Sequence, residues 1–183
     1  MGFSDDLSGI AEYQYSIGLN PGETQVVSWT SANLDSTITV SASLSEGPTY
    51  YANLRAIDSV SNVGDVISSD GFGLDVSAPN TGLVNDGDSL DIAWTNNDLS
   101  LSSNWDGFSD QYSGIKFYEY AVGTTPGGQN LIPWTNIDSS TSVNIESALA
   151  HSFTYYTSVR ATDLVDNLSN IVTSDGFTID TIP

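Results

Sequence analysis

The residues of this chain that could bind a ligand are aspartates, gathered in short polar segments. Asp106 and Asp110 lie in one segment, Asp163 and Asp166 lie in a second, and Asp75 lies upstream of both. Carboxylate oxygens are the hard ligands that Ca²⁺ requires, so a fold that brought these segments together could hold a calcium ion. The same side chains could instead cap turns by accepting hydrogen bonds from backbone N–H groups. Calcium is the one cofactor that the sequence suggests.

Side chains suited to catalysis are scarce. The sequence contains a single histidine, His151, and no cysteine. It has none of the spacings typical of serine hydrolases, zinc proteases or phosphate-binding loops. Carboxylates are so numerous, with 23 Asp and Glu residues, that no one pair is marked as a general acid and base. We therefore predict that the protein is not an enzyme.

The charge balance excludes several classes of partner. Three Lys and Arg residues stand against 23 Asp and Glu residues, for a net charge of −20. Nucleic acids and anionic membrane surfaces are bound through clustered Lys and Arg, so neither is an expected partner. There is no apolar run of about 18 residues, so no membrane insertion is expected. This acidic, lysine-poor and cysteine-free composition suits an extracellular or cell-surface location.

The elements that would position the aspartates belong to an internal repeat. Gly2-Phe3-Ser4-Asp5 returns as Gly107-Phe108-Ser109-Asp110, shifted by 105 residues (107 − 2), and the match continues without a gap to Asp75 and Asp180. The matched pairs include Trp29 with Trp134, Tyr50 with Tyr155, Arg55 with Arg160, and Asp58 with Asp163. Such self-similarity indicates a modular array. A stretch at about Asn80–Asp106 precedes only the second copy, so we expect the chain to be a piece of a longer array.

Short β-strands are the predicted elements of each copy. Apolar and polar residues alternate at Leu90–Trp94, Leu99–Trp105, Tyr118–Val122 and Tyr155–Ala161, as they do in half-buried strands. Turn residues such as Pro126-Gly127-Gly128 separate these runs, and no window has the apolar spacing of a helix. Several short strands with turn signals between them indicate an all-β sandwich.

The residues of these strands resemble those of fibronectin type III-like domains, which are immunoglobulin-like β-sandwiches. The resemblance is carried by Trp105, Tyr118-Glu119-Tyr120, Leu149 and the run Tyr155–Asp163. It implies that Trp105 packs in the core from strand B and that Leu149 lies in the turn between strands E and F. It also implies that the Tyr155 hydroxyl bonds to backbone near that turn.

Two further motifs extend the resemblance. Leu44 and Tyr50 fit the same turn and tyrosine positions in the first copy. The segments Phe-Ser-Asp-x-x-Ser-Gly-Ile and Ser-Asp-Gly-Phe-x-x-Asp look like repeats of long bacterial surface and secreted proteins. The resemblance is specific for architecture, whereas this sandwich hosts many unrelated functions.

On this template the fold is all-β, with two tandem antiparallel sandwiches of which the first lacks strands A and B. Residues 80–183 form a complete domain, and residues 1–79 form a truncated domain with strands C to G. The strands expected in the complete domain are A within Thr81–Thr95, most regularly at Leu90–Trp94, B near Leu99–Trp105, C at Ile115–Gly123, C′ near Leu131–Thr135, E near Ser142–Glu146, F at Phe153–Thr162 and G near Ile171–Ile179. Trp94 is a rival to Trp105 for the strand-B tryptophan.

The missing strands predict a gap in the first copy. Without strand B, its strand E loses a neighbour, and an apolar face and an unpaired edge are exposed. A neighbouring chain could supply the missing strands, or the chain could belong to a larger assembly. Alternatively, Asn80–Trp105 could fold back onto the first copy.

The template also implies where the candidate calcium ligands meet. In this sandwich the B–C and F–G loops lie at the end that faces the preceding domain. The calcium hypothesis therefore combines Asp106 and Asp110 of one loop, Asp163 and Asp166 of the other, and Asp75 at the end of the first copy. A bound ion would relieve the repulsion between these groups and stiffen the junction.

Five other side chains receive predicted roles. Arg160 on strand F should contact Glu119 on the outer face of strand C. Trp29 and Trp134 follow the turn after strand C, and they either pack on the sheet or stack on sugars. His151 is expected to be an exposed turn residue.

The leading functional hypothesis is a non-enzymatic, extracellular structural or adhesive repeat, a spacer or assembly element of a long surface protein or filament. Its expected partners are neighbouring copies of the repeat or chain, with surface glycans or matrix as further candidates. One alternative is a carbohydrate-binding accessory module of a secreted enzyme. The other alternative is a fibre subunit joined by strand complementation.

Overall fold

The computed structural model describes residues 2–183, which divide into two compact units between Asp75 and Val76. Every regular element of the described residues is a β-strand. The described residues include no helix that is long and apolar enough to cross a membrane.

The first unit consists of one antiparallel sheet. Its strands are β1 (Ile10–Gly18), β2 (Val27–Asn33), β3 (Tyr51–Asp58) and β4 (Ile67–Ser68), in the order β2-β1-β3-β4. These four strands correspond to C, C′, F and G of the template. The longest strand pairing in the sheet is that of β1 with β3, in which Tyr13 is opposite Ala56 and Tyr15 is opposite Leu54.

The prediction that the first copy contains strand E is wrong. Residues 37–41, which match strand E of the second copy, form no strand. The physical reason is the absence of a partner, because in the second unit the equivalent strand is held by strand B. A strand needs a neighbour to satisfy its N–H and C=O groups. The first unit is therefore a single sheet rather than a sandwich lacking two strands.

The second unit forms a two-sheet structure from nine strands. The strands are β5 (Leu83–Asp86), β6 (Trp94–Thr95), β7 (Ser100–Asp106), β8 (Ile115–Gly123), β9 (Ile132–Asn136), β10 (Ser142–Glu146), β11 (Thr154–Asp163), β12 (Val172–Thr173) and β13 (Phe177–Ile179). One sheet has the order β10-β7-β5, and the other has the order β6-β13-β11-β8-β9, with β12 also paired to β11. β6 runs parallel to β13, whereas the other pairs are antiparallel.

The core of the second unit is filled from both sheets. Trp105 of β7 is 2% exposed and packs edge-on against Tyr118 of β8, with ring centroids 5.9 Å apart. Val122, Val159 and Phe177 belong to the same buried cluster. Because alternate residues of a strand point to the same face, the alternation in the sequence places these side chains inward. Trp105 is confirmed as the core tryptophan.

The tyrosine-corner prediction holds in both units. The N–H of Ala150 donates to the Tyr155 hydroxyl at 2.9 Å. In the first unit the Ser45 N–H donates to the Tyr50 hydroxyl at 2.9 Å, and that hydroxyl donates to the Ser45 carbonyl. Leu149 is buried beside this turn, as predicted.

Strand A lies earlier than the sequence pattern indicates. The regular alternation at Leu90–Trp94 does not form the main strand, because Leu90 and Trp94 are exposed and only Trp94 and Thr95 pair with β13. The strand that pairs with strand B is Leu83–Asp86. Since this strand and β7 belong to the second unit, the alternative in which Asn80–Trp105 folds onto the first copy is wrong.

The last strand is interrupted. The prediction placed strand G continuously near Ile171–Ile179, but β12 ends at Thr173 and β13 begins at Phe177. Gly176 within the break has a φ of +91°, a conformation that favours glycine. The break turns the Gly176 N–H away from the ladder and towards the carboxylate of Asp86.

Candidate functional site

Asp110 caps the loop between β7 and β8. Its Oδ1 accepts hydrogen bonds from three successive backbone N–H groups, those of Tyr112 at 3.0 Å, Ser113 at 2.8 Å and Gly114 at 2.8 Å. Partial desolvation raises the pKa of the carboxyl, but these donors outweigh it and hold the pKa below its ordinary value. The geometry is that of an aspartate that closes a turn.

Asp163 plays the same part in the loop that follows β11. Its Oδ1 accepts from the N–H groups of Val165 at 2.9 Å and Asn167 at 2.8 Å, and its Oδ2 accepts from the Asn167 side-chain amide at 2.8 Å. A carboxylate oxygen of Asp163 lies within 4.8 Å of one from Asp110. The structure therefore brings these two predicted ligands together, with each already holding its own turn.

The first unit repeats both turns. Asp5 accepts from the N–H groups of the three loop residues Leu7, Ser8 and Gly9. Asp58 accepts from Val60 and Asn62 as Asp163 does from its neighbours. The turn-capping role is thus common to both copies, which agrees with the alternative that the sequence left open.

Two of the other predicted calcium ligands, Asp106 and Asp166, have surroundings of their own. Asp106 is exposed and accepts from the Gly107 N–H at 2.7 Å. Asp166 forms an exposed ion pair with Lys116 at 2.6 Å. Asp75 belongs to the first unit. A calcium site that joins the five aspartates stays a prediction.

A second acidic cluster lies wholly within the second unit. Asp86, Asp91 and Asp175 each place one carboxylate oxygen within 4.8 Å of the others. Asp86 ends β5 and is fully buried, whereas Asp91 and Asp175 are exposed. The signal that could have found it is the acidic run Asp86-Gly87-Asp88-Ser89-Leu90-Asp91, but its partner Asp175 is far away in the chain.

Asp86 has an unusual environment for a carboxyl group. Desolvation raises its pKa to about 6, the Ser174 hydroxyl and the Gly176 N–H act in the opposite direction, and the charges of Asp91 and Asp175 raise the pKa further. Oδ2 accepts from Gly176 at 2.9 Å. Among residues 2–183, the buried Oδ1 has no hydrogen-bond partner. Buried polar atoms are rarely left in this state.

The predicted contact between Arg160 and Glu119 is confirmed. Arg160 Nε donates to Glu119 Oε2 at 2.8 Å, and the guanidinium also lies over the ring of Trp134, 4.4 Å from its centroid. The first unit has the same stack, with the Arg55 guanidinium 4.2 Å from the Trp29 centroid. Both tryptophans are half-buried on the sheet. This agrees with packing on the sheet, which is one of their two predicted roles.

Two other side chains of interest, Trp94 and His151, belong to the second unit. Trp94 is 65% exposed, and His151 is half-buried in the turn before β11. The Thr181 N–H donates to His151 Nδ1 at 3.1 Å. Trp94 and His151 line one shallow open cavity together with Ile182. The indole of Trp94 is the one large aromatic ring in its wall, which is a sparse surface for stacking on a sugar.

Comparisons with known proteins identify the fold. No protein-family model matches the sequence, and no curated protein matches it. A solved structure of titin domains aligns with 93% of this chain at 14% identity and a TM-score of 0.54. The fold is fibronectin type III-like. The chain spans 55% of that titin structure.

Two further solved structures are similar at lower TM-scores. The fibronectin(III)-like modules of Clostridium thermocellum CbhA align with 97% of this chain and 82% of their own, at 17% identity and a TM-score of 0.38. The FN1–FN3 domains of chicken CNTN1 align with 88% of this chain and 55% of their own, at 13% identity and a TM-score of 0.38.

Proposed function

We propose that this chain is a non-enzymatic structural repeat of an extracellular or cell-surface protein, in which it acts as a spacer or assembly element. The observation that supports this most is the repetition of framework contacts. Both units place a turn-capping aspartate, a tyrosine corner and an arginine–tryptophan stack at equivalent positions. The features that recur are those that build the fold, as expected of a modular array.

The distribution of charge supports the same proposal. All three basic side chains are engaged, Lys116 with Asp166, Arg160 with Glu119 and Arg55 with Gln14. The acidic residues outnumber the Lys and Arg residues by 20 (23 − 3). A surface of one sign keeps copies apart until cations screen them, which suits a salty, calcium-containing medium.

Carbohydrate binding is the competing function, and it is tested directly. The full chain is applied to a glycan array beside Trp94→Ala and, as a matched control, Tyr112→Ala, which removes another exposed aromatic ring. The structural proposal expects no saturable retention for any of the three proteins. Saturable binding that Trp94→Ala abolishes and Tyr112→Ala preserves would overturn it in favour of an accessory module.

A second observation favours assembly through strand complementation. The sheet of the first unit lacks the cover that the second unit has. Phe72 is 40% exposed, whereas its counterpart Phe177 is 2% exposed, and Leu54 is half-buried where Val159 is fully buried. In the second unit the equivalent face is covered by strands A and B through residues such as Trp105. The proposed occupant is therefore the segment equivalent to residues 81–106 from another copy of the repeat.

Peptide titration tests this assembly mode. A peptide of residues 81–106 is added to the full chain, with a scrambled peptide as the control, and amide hydrogen exchange is measured. We expect the native peptide alone to protect amides in residues 37–41, since strand B is the missing neighbour of strand E. Equal exchange with both peptides, together with a monomer at all concentrations in sedimentation, would contradict strand complementation and leave the spacer role.

A further inference from the structure

The carboxylate of Asp86 is buried without a full set of partners. The residue is 0% exposed, its Oδ2 accepts from the Gly176 N–H, and the Ser174 hydroxyl also bonds to the carboxyl group. Its Oδ1 has no hydrogen-bond partner within residues 2–183. A buried carboxylate oxygen in this state is costly unless a proton or a cation satisfies it. The position of Asp86 therefore itself indicates a missing positive partner.

The neighbours of Asp86 are two more carboxylates instead of a base. Asp91 and Asp175 each bring an oxygen within 4.8 Å of it. Both basic residues of the second unit are already ion-paired, Lys116 to Asp166 and Arg160 to Glu119. No protein cation of this unit is left to balance the three carboxylates, so a cation from solution is the remaining source.

We infer that Asp86, Asp91 and Asp175 form a calcium site within the second unit. Three carboxylates from two segments supply hard oxygen ligands, and the exposed sides of Asp91 and Asp175 leave room for water to complete the six to eight ligands that Ca²⁺ takes. With several water ligands, the affinity belongs to the range of extracellular modules, a Kd of about 10⁻⁴–10⁻³ M. The site is separate from the five aspartates predicted from the sequence.

The ion would connect two parts of the chain that are far apart in the sequence. Asp86 ends β5 and Asp91 follows it in the loop, while Asp175 lies in the break between β12 and β13. The break in the last strand places the carboxylate of Asp175 and the N–H of Gly176 beside Asp86. Calcium would fasten the first strand of the unit to its last strand.

The repeat supplies a matched control. Asp175 corresponds to Asp70 in the first copy, which is also exposed, but the first copy has no residues equivalent to Asp86 and Asp91. Asp70→Asn and Asp175→Asn therefore remove the same charge from equivalent positions. Only Asp175→Asn removes a ligand of the proposed site.

Isothermal titration with CaCl₂ tests the site on the full chain, in chelator-treated buffer with NaCl at physiological strength to screen general charge effects. We expect the wild type and Asp70→Asn to bind with the same Kd. Asp91→Asn and Asp175→Asn, both on exposed side chains, should each weaken binding by about tenfold or more. Asp86→Asn should abolish it. In 5 mM calcium the Tm of the second unit should rise by about 4–18 °C, and the same concentration of Mg²⁺ should do less.

Several outcomes would overturn the inference. Calcium binding that is equal in the wild type, Asp91→Asn and Asp175→Asn would place the ion elsewhere. If Asp70→Asn lost as much calcium affinity as Asp175→Asn, the effect would be general charge screening and not a specific site. The same conclusion would follow if Mg²⁺ raised the Tm as much as calcium does. No binding heat up to 10 mM calcium would exclude the site. None of these results bears on the spacer role, which depends on the repeat and not on calcium.

Discussion

The guanidinium of Arg160 lies over the indole ring of Trp134, 4.4 Å from the ring centroid. Its Nε simultaneously donates to Glu119 on the neighbouring strand. The equivalent Arg55 lies over Trp29, but its acceptor is the neutral side chain of Gln14. The two units thus share a cation–π stack and differ in the charge of the acceptor beside it.

This difference predicts a salt effect confined to one unit. A double-mutant cycle of Arg160→Ala with Trp134→Ala should give a coupling free energy of about 0.5–1 kcal/mol, and so should Arg55→Ala with Trp29→Ala. The Arg160–Glu119 coupling should be at most about 1 kcal/mol and should weaken in high salt. The coupling of Arg55 with Gln14 should not change with salt. Urea denaturation at two salt concentrations measures all four, and equal salt dependence in both units would contradict the prediction.

Trp105 predicts an asymmetry between two core substitutions. Its indole Nε1 is buried and has no partner within residues 2–183. Trp105→Ala should cost about 3–5 kcal/mol in unfolding free energy, as large-to-small core changes do. Trp105→Phe keeps much of the apolar volume and removes the unpaired N–H, so it should cost less than half as much. Urea denaturation followed by circular dichroism compares the two. Equal losses of unfolding free energy would show that the indole N–H has a hydrogen-bond partner in solution.

Asp86 predicts a pH effect in calcium-free buffer. Its pKa is 3.8 in ordinary surroundings and about 6 in the folded chain, so the folded state holds the proton more tightly. This contribution to stability is complete below pH 4 and is lost as the pH rises through about 6. The loss is on the order of 3 kcal/mol. Asp86→Asn has no such loss, so its stability relative to the wild type should rise between pH 4 and pH 7. Parallel pH profiles for the two proteins would contradict a raised pKa.

The missing strand in the first unit predicts a contrast in hydrogen exchange. Amides of Ser142–Glu146 are held in a ladder with Ser100–Asn104, whereas the equivalent residues 37–41 form no strand. We expect slow exchange in the former segment and fast exchange in the latter, measured on the same sample. Comparable protection in dilute monomer would mean that residues 37–41 find a strand partner of their own.

Local patterns predicted the strands that are bounded by clear turns. Ile115–Gly123 and Ser142–Glu146 agree residue for residue, because alternation and flanking turn residues leave one register. Leu90–Trp94 alternates equally well, but Leu90 and Trp94 are exposed, since the strand that pairs with β7 is the short Leu83–Asp86. That segment ends in Asp86-Gly87, which is a turn signal, so its last residue did not look like a core position.

The cluster of Asp86, Asp91 and Asp175 could not be predicted from the sequence. Asp110 and Asp163 could be found because loops of a recognised sandwich bring them together. Asp86 meets Asp175 only because the last strand breaks at Ser174–Gly176, and no periodicity marks a break of this kind. Asp86 is buried because the end of β5 packs beside the break between β12 and β13. A local sequence pattern does not reveal such a contact between distant segments.

The parallel pairing of β6 with β13 affects how the second unit would respond to tension. The Thr178 N–H donates to the Ala93 carbonyl, and the Asp180 N–H donates to the Thr95 carbonyl. A pull that reaches β6 from the N-terminal side and β13 from the C-terminal side draws the two strands in opposite directions along their length, because the strands run the same way. The hydrogen bonds then lie across the force and must shear together, whereas an antiparallel pair pulled from one end opens one bond at a time. An array of such units would resist stretching until a whole strand pair slips.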